Sequence, residues 1–429
     1  MKPIKVGLLG LGTVGTGVVR IVEGHREDLL GQTGSSIEIA KILVQDKSKT
    51  RSISVPEDKL TESARDVIEN PDIQVVIEVM GGIETAKSYI LEALERGKHV
   101  VTANKDLMAL HGPEILAKAA EKGCDVYYEA SVAGGIPIIR TLIEGFSSDR
   151  ITKIMGIVNG TTNYILTKMS QEGAAYEEVL KEAQALGYAE ADPTSDVEGL
   201  DAARKMAILG TLGFHVNVAL ADVSVKGISG VSKEDIAYAK RLGYEVKLLG
   251  IAERQDDQIS VSVQPTMVRA SHPLASVNGV FNAVYVYGEA VGETMFYGPG
   301  AGEMPTATSV VADLVAVVRN LNLGINGRQV FVPYKEKKLK TDEQIASKYF
   351  IRLHVADKAG VLAQITNIFA GEDVSLESVV QQPNATTPHA EIIIITHSAS
   401  QAAVNRVLAA FGDMEGIVHE IKSVYRVEG

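Results

Sequence analysis

Ile4-Lys5-Val6-Gly7-Leu8-Leu9-Gly10-Leu11-Gly12-Thr13-Val14-Gly15 decides how the chain begins to fold. Six residues, mostly apolar, read as a buried strand, three glycines follow, and a helical stretch runs from Val14 to Glu23. In that setting the glycines serve, in turn, a tight turn, close backbone approach to a pyrophosphate, and close helix–strand contact. The N–H groups that open the helix, and its dipole, then favour phosphate. Working outward, Ile37–Val44, Val75–Val79 and Val100–Thr102 read as further short, β-branched strands. A helix from Pro113 to Lys122 and a strand from Cys124 to Glu129 complete the series. Strands alternating with helices predict a doubly wound parallel sheet, covered on both faces.

After about Val132 the pattern changes to α+β. Helices are expected at Ala174–Leu186, Gly199–Leu212 and Lys233–Leu242, and strands at Ile259–Val263 and Ala283–Gly288. Pro305–Asn320 is an apolar helix expected to return to the first domain. Tyr334–Ser347 is charged and reads as a linker. The end of the chain runs strand Tyr349–Ala356, helix Gly360–Phe369, strands Ser375–Gln381 and Ala390–Thr396, helix Gln401–Phe411 and strand Glu420–Val427. That βαββαβ order is the ferredoxin-like plan. The fold class expected is therefore α/β and α+β multidomain. Its divisions are 1–130, a dinucleotide-binding domain completed by a helix near 305–330; 131–304, a catalytic and oligomerisation domain; 331–347, a linker; and 348–429, a regulatory domain.

The length of 429 residues suits roughly two to four domains. A net charge of −12 without a basic block argues against nucleic acid. Apolar runs stay short of the ~20 residues a membrane helix needs. The one cysteine, Cys124, excludes an internal disulfide and a cysteine zinc cluster, and its flanks suggest a packed thiol. With no signal peptide ahead of the first strand, the expectation is a cytoplasmic protein with no membrane partner.

Two clusters carry chemistry. Thr102-Ala103-Asn104-Lys105 follows a strand whose end opens on the cofactor crevice. A lysine there can steady a substrate or move a proton, although its free pKa of about 10.4 must be lowered before it serves as a base. The second cluster runs Gly187-Tyr188-Ala189-Glu190-Ala191-Asp192-Pro193-Thr194-Ser195-Asp196, then Gly199-Leu200-Asp201-Ala202-Ala203-Arg204-Lys205. Asp201 and Lys205 share a helix face, which fits a surface ion pair until Met206-Ala207-Ile208-Leu209 implies burial. Carboxylates entering a buried helix require cations or a ligand, and an amino acid would bring an ammonium group. At the end of the second strand, Asp46 could hold a ribose diol, while Lys47, Lys49 and Arg51 could hold a 2′-phosphate, and the reading leans to NADP over NAD.

These motifs, with Tyr-Glu-Ala-Ser-Val-Ala-Gly-Gly-Ile-Pro, Asn-Gly-Thr-Thr-Asn-Tyr-Ile-Leu, Gly-Tyr-Ala-Glu-Ala-Asp-Pro and Tyr-Gly-Pro-Gly-Ala-Gly-Glu-Met-Pro-Thr, resemble the homoserine dehydrogenase family in order and spacing from residue 4 to about 330. The resemblance implies a Rossmann domain and reversible NAD(P)-linked reduction of L-aspartate 4-semialdehyde to L-homoserine, toward threonine, methionine and isoleucine. It makes Lys205 the proton donor, with Lys105 beside substrate and nicotinamide, and Glu190, Asp196 and Asp201 the substrate-binding acids. Gly10, Gly12, Thr13, Val14, Gly15, Lys105, Gly187 and Gly302 would contact the dinucleotide. A monovalent cation, Na+, would sit near Glu129 and the carbonyls of Val132, Gly134 and Ile136, and a homodimer or homotetramer is implied.

Asp357-Lys358-Ala359-Gly360-Val361-Leu362 resembles the opening of an ACT domain, which implies an amino-acid effector, threonine first, or a role in assembly only. Two alternatives stand beside this reading. One is another Rossmann amino-acid dehydrogenase, such as an aspartate dehydrogenase. The other is a catalytically inactive cofactor-binding sensor. The Glu190–Lys205 block argues against the first, and the presence of Lys105, Asp201 and Lys205 argues against the second.

Overall fold

The computed structural model describes residues 3–328, 331–383 and 389–429. Of the loop Asn384–His389, whose part in ligand contact the sequence leaves open, residues 384–388 lie outside them. The chain forms two compact units: Met1–Ile154, Arg204–Ala221 and Asn282–Lys337 make the first; Met155–Ala203, Asp222–Phe281 and Lys338–Gly429 make the second.

In the first unit six strands, β1 (Ile4–Leu9), β2 (Ile37–Leu43), β3 (Leu60–Thr61), β4 (Ile73–Glu78), β5 (His99–Thr102) and β6 (Val126–Tyr127), form one parallel sheet in the order β3-β2-β1-β4-β5-β6. The order reverses between β1 and β4, so the glycine turn after β1 sits at the switch point where such sheets bind ligands. Val6, Leu8, Ile39, Ile42, Val75 and Ile77 face Val18 and Val22 of helix Thr13–Gly24, and Val310, Leu314 and Val317 of helix Glu303–Leu323 join the same core. Each such side chain contributes roughly 1.5–3 kcal/mol on burial. The late helix is therefore a structural part of the early sheet. Gly17 is the contact point: a Cβ there would lie 2.6 Å from the Glu303 carbonyl and 2.8 Å from Ala307 Cβ.

Two boundaries differ from the sequence expectation. The helix expected from Pro113 starts at Lys105 and runs through Pro113 to Lys122. Gly112-Pro113 looks like a helix start, but Asn104 supplies the cap, its side chain accepting the Leu107 N–H. The strand expected from Cys124 to Glu129 contracts to Val126–Tyr127, because Glu129–Ser131 winds into a single 3-10 turn. Cys124 is buried, and burial pushes its thiol up to about 11.

In the second unit, strands Tyr244–Gln255 and Gln258–Arg269 form a long antiparallel hairpin, of which Ile259–Val263 was the part legible in sequence. The C-terminal strands lie in the spatial order Leu376–Pro383, His389–Thr396, Ala346–Ala356, Val418–Glu428, all antiparallel, with helices Val361–Gly371 and Gln401–Gly412 between them in sequence. Val418–Glu428 also pairs in parallel with the end of Gln258–Arg269, Thr266 opposite Arg426, so the C-terminal sheet continues the hairpin sheet. The charged stretch before it is bonded to that hairpin as well, Ile259 donating to Lys338 and Lys340 to Ile259. Among the described residues no helix is long and apolar enough to cross a membrane.

Candidate active site

Gly10 has φ +107°, and a Cβ there would meet the Met80 backbone at 2.9 Å; at Gly15 it would lie 2.2 Å from the Gly10 carbonyl. Gly12, by contrast, has open space where its Cβ would project, and it and Thr13 are exposed while Val14 is half-buried. No side chain caps helix Thr13–Gly24, which leaves its opening amides to an anion. Gly10, Gly12, Thr13, Val14 and Gly15 thus form one cradle that fits a dinucleotide pyrophosphate. Gly302 heads helix Glu303–Leu323, which lies against the cradle's helix, with Arg20 Nε 2.9 Å from Glu303 Oε1. Gly187 belongs to the second unit, exposed at φ +76°.

The loop after β2 is organised on itself. Asp46 Oδ1 accepts from Ser48 N at 2.7 Å and Ser48 Oγ at 2.6 Å, and these bonds hold its carboxyl below the usual range. Arg51 wraps the loop, donating to the carbonyls of Asp46, Lys47 and Lys49. A cation is thereby fixed at the tip, beside Lys47 and Lys49.

Thr102-Ala103-Asn104-Lys105 is locked from beneath. Thr102 Oγ1 donates to the fully buried Glu78 at 2.7 Å, the Asn104 N–H donates to Thr102 Oγ1, and Asn104 Nδ2 donates to the Gly82 carbonyl. Burial raises Glu78's carboxyl, while bonds from Thr102, Met80 and Gly81 oppose the shift. Lys105, half-buried, is the first residue of its helix. Neighbouring residues tie it to the other lysine's helix: Arg204 Nε lies 2.9 Å from Asp106 Oδ1, next to Lys205 and Lys105 respectively. Sequence reading overlooked this pair, since only the fold brings positions 106 and 204 together.

In the second unit, Asp196 and Asp201 are brought together by a residue that sequence reading passed over. Asn159 Nδ2 donates to Asp196 Oδ1 at 2.7 Å and to Asp201 Oδ2 at 2.8 Å. Asp201 is buried and Asp196 half-buried. Glu190 is exposed on the same unit, its backbone carbonyl accepting from Gln184. The signal for Asn159 was present in Asn159-Gly160, an N-cap residue ahead of helix Gly160–Glu172.

The loop expected to hold a cation is tightly made. Glu129's carboxylate accepts the N–H groups of Ile139 at 2.7 Å and Arg140 at 2.8 Å, one on each oxygen. Ala133 and Gly134 have positive φ, and the Gly134 carbonyl accepts from Ser309 Oγ at 2.7 Å. The Ile136 carbonyl accepts from Ile138 N. Each of these oxygens keeps a lone pair beside the bond it accepts, and an all-oxygen set of this kind fits a hard cation. Among the described residues no group of three or more His, Cys, Asp or Glu side chains could hold a metal.

Residues 10–129 match the family profile described as homoserine dehydrogenase, NAD binding domain; residues 137–315 match homoserine dehydrogenase; residues 349–416 match the ACT domain. A homoserine dehydrogenase of Bacillus subtilis is 59% identical over 430 residues, covering 100% of this chain and 99% of its own. The crystal structure of a homoserine dehydrogenase from Thiobacillus denitrificans is 40% identical, covers 100% of this chain and 99% of its own, and superposes with a TM-score of 0.93. A hyperthermophilic archaeal homoserine dehydrogenase in complex with NADPH is 26% identical over 74% of this chain and 98% of its own, with a TM-score of 0.61. With cradle, Arg204–Asp106 ion pair and C-terminal βαββαβ sheet in place, and with relatives matching from end to end, the chain belongs to the homoserine dehydrogenase family of NAD(P)-dependent oxidoreductases and carries a C-terminal ACT domain.

Proposed function

We propose that the chain interconverts L-aspartate 4-semialdehyde and L-homoserine with Lys205 as the proton donor and Lys105 beside the substrate. The observation that carries this is the amide-linked pair Asp196 and Asp201, which concentrates negative charge where the α-ammonium of an amino acid is attracted. Asp201 and Glu190 bind the substrate and Asp196 shapes its site. Lys205 holds its proton at Nζ and releases it to the substrate oxygen as negative charge builds there, and the ammonium's own charge favours that oxyanion. Lys105, which follows the Asn104 cap held by Thr102 Oγ1 and the Leu107 N–H, orients the reacting carbon. When bound, the dinucleotide supplies or accepts the hydride. Gly10, Gly12, Thr13, Val14, Gly15, Lys105, Gly187 and Gly302 hold it.

NADP is the preferred dinucleotide in this reading. Arg51 is pinned to the loop carbonyls as a fixed cation for a 2′-phosphate, while Asp46 is already bonded to Ser48. The NADPH complex of the archaeal relative points the same way. A Na+ ion sits near Glu129 and the carbonyls of Val132, Gly134 and Ile136. Threonine binds the ACT domain and lowers turnover. The enzyme works as a homodimer or homotetramer in the cytoplasm, a reducing compartment that suits one buried cysteine. Its working divisions are 1–130 with the returning helix, 131–304, a linker at 331–347, and 348–429.

The test is homoserine-dependent reduction of NAD and NADP, followed by absorbance at alkaline pH with and without threonine. Faster NADP turnover that falls with threonine is expected; an unchanged rate removes threonine as effector. Lys205→Ala should abolish turnover while dinucleotide binding, followed by fluorescence, persists. Near-normal turnover in that variant would remove Lys205 from the chemistry.

A further inference from the structure

We infer that Asn159 is a positioning residue for the substrate: its side-chain amide is the neutral clamp that holds the carboxylates of Asp196 and Asp201 side by side. The inference rests on the reading of those two acids as substrate-binding groups.

The orientation of the amide is fixed by chemistry. Asn159 Oδ1 accepts the Thr162 N–H at 2.9 Å, and a main-chain N–H can only donate, so the oxygen must face it. Thr162 Oγ1 donates to the same oxygen at 2.9 Å. The two hydrogens on Nδ2 therefore point away from the helix, one to Asp196 and one to Asp201. Asn159 is 5% exposed and Thr162 1%, so no competing water layer surrounds the clamp. Two carboxylates converging on one small group repel, and a donor that brings no charge draws both in while leaving the local charge negative. Serine has too few donors for this, and aspartate has the wrong sign.

The clamp stands on a rigid base. Gly160 follows because a Cβ there would lie 2.7 Å from the Val280 carbonyl. One turn on, Asn163 Nδ2 reaches the carbonyls of Val277, Gly279 and Phe281. Lys247, 2% exposed, donates to the Val277 carbonyl at 2.6 Å. Helix Gly160–Glu172 is thus fastened to loop 277–281 before it presents Asn159. A site held to a few tenths of an ångström needs such support.

Asn159→Asp and Asn159→Ser separate the clamp from the helix cap, since both side chains still accept the Thr162 N–H. On the full-length protein we expect Asn159→Ser to keep the wild-type melting temperature within a few degrees, and Asn159→Asp, which sets a third carboxylate beside the other two, to melt lower. KM for homoserine should rise about tenfold or more, more in Asn159→Asp than in Asn159→Ser, while KM for the dinucleotide changes less than about twofold. Asp196→Asn and Asp201→Asn are measured alongside. If they raise KM for homoserine and the Asn159 variants do not, Asn159 is only a helix cap and the inference fails alone. If Asp196→Asn and Asp201→Asn keep the wild-type KM, the substrate-binding reading of the acids fails, and the inference with it.

Discussion

Asp313 in the first unit and Asp235 in the second are equally buried, each 1% exposed, yet they are treated very differently. Asp313 receives one guanidinium N–H, from Arg140 at 2.7 Å, and one backbone N–H, from Glu129 at 2.8 Å. Asp235 receives Ser423 Oγ at 2.6 Å, Tyr425 OH at 2.9 Å and Ser232 Oγ at 2.9 Å, with Arg352 Nε 2.8 Å away. Burial, then the charge of Glu129, pushes the Asp313 carboxyl up to about 8. Beside Asp235, burial would likewise raise Glu391, but bonds from Tyr238 and His354 and the charge of Arg352 hold it below the ordinary carboxylate range. Glu391 is half-buried and richly supplied with donors, Asp313 is fully buried and has two, and depth of burial and supply of donors together set the opposite directions.

The two sites also serve different joints. Asp313 lies on the helix that returns to the first sheet and fastens it to the turn at Glu129. Asp235 lies on helix Lys233–Arg241, and its partners Arg352, Ser423 and Tyr425 come from C-terminal strands, so one carboxylate staples the ACT domain to the segment ahead of it. Lys226 reinforces that joint by donating to the Val424 carbonyl.

The most damaging way to probe the contrast is Arg352→Met. The guanidinium side chain is 5% exposed and pairs with both Asp235 and Glu391. Its removal leaves buried negative charge without a counterion, a loss of about 3–5 kcal/mol. Urea denaturation followed by far-UV circular dichroism should report it as a lower midpoint at unchanged slope. A loss under about 1 kcal/mol would mean the hydroxyl donors suffice and the cation is incidental.

Asp313→Asn acts through pH. The native carboxyl keeps a proton that the unfolded chain, with its ordinary value of 3.8, has released. Native protein therefore binds more protons between that value and about 8, and stability falls as pH rises through the window. The slope is at most about 1.4 kcal/mol per pH unit. Asn cannot titrate, so the variant's melting temperature should vary less between about pH 5 and about pH 8 than that of the wild type. Parallel profiles would show that Asp313 is ionised throughout.

The legibility of these features in sequence follows the same division. The strand–glycine–helix opening was readable because a local pattern serves a local purpose, and Gly10 and Gly15 sit where any Cβ would collide. The βαββαβ order at the C-terminus was readable for the same reason. Helix Lys105–Lys122 was misread at its start because Gly112-Pro113 resembles a helix opening more than Asn104 does. Nothing local marks a role for Asn159, since its partners lie 37 and 42 positions away. The parallel pairing of Thr266 with Arg426 and the Asp235 network were invisible for a stronger reason. Ser423, Tyr425 and Arg352 are ordinary residues on alternating strands, and only the sheet register brings them to one carboxylate.

The gentlest probe is Tyr238→Phe, which removes one donor from Glu391 and keeps the ring. Tyr238 OH reaches Glu391 Oε2, and His354 Nε2 lies 2.6 Å from Oε1. Loss of one hydrogen bond to a charged acceptor costs about 1.5 kcal/mol near neutral pH. The sign of its pH dependence is opposite to that of Asp313. Because Glu391's folded value lies below its ordinary 4.5, its stabilisation is present above 4.5 and is lost as pH falls through the folded value. The gap between Tyr238→Phe and wild type should therefore narrow as both are acidified, while the Asp313→Asn gap changes across the range above it. A Tyr238→Phe deficit that stays constant into acid would make the tyrosine a packing residue. Glu391 would then depend on His354 and Arg352 alone for the donors that set it apart from Asp313.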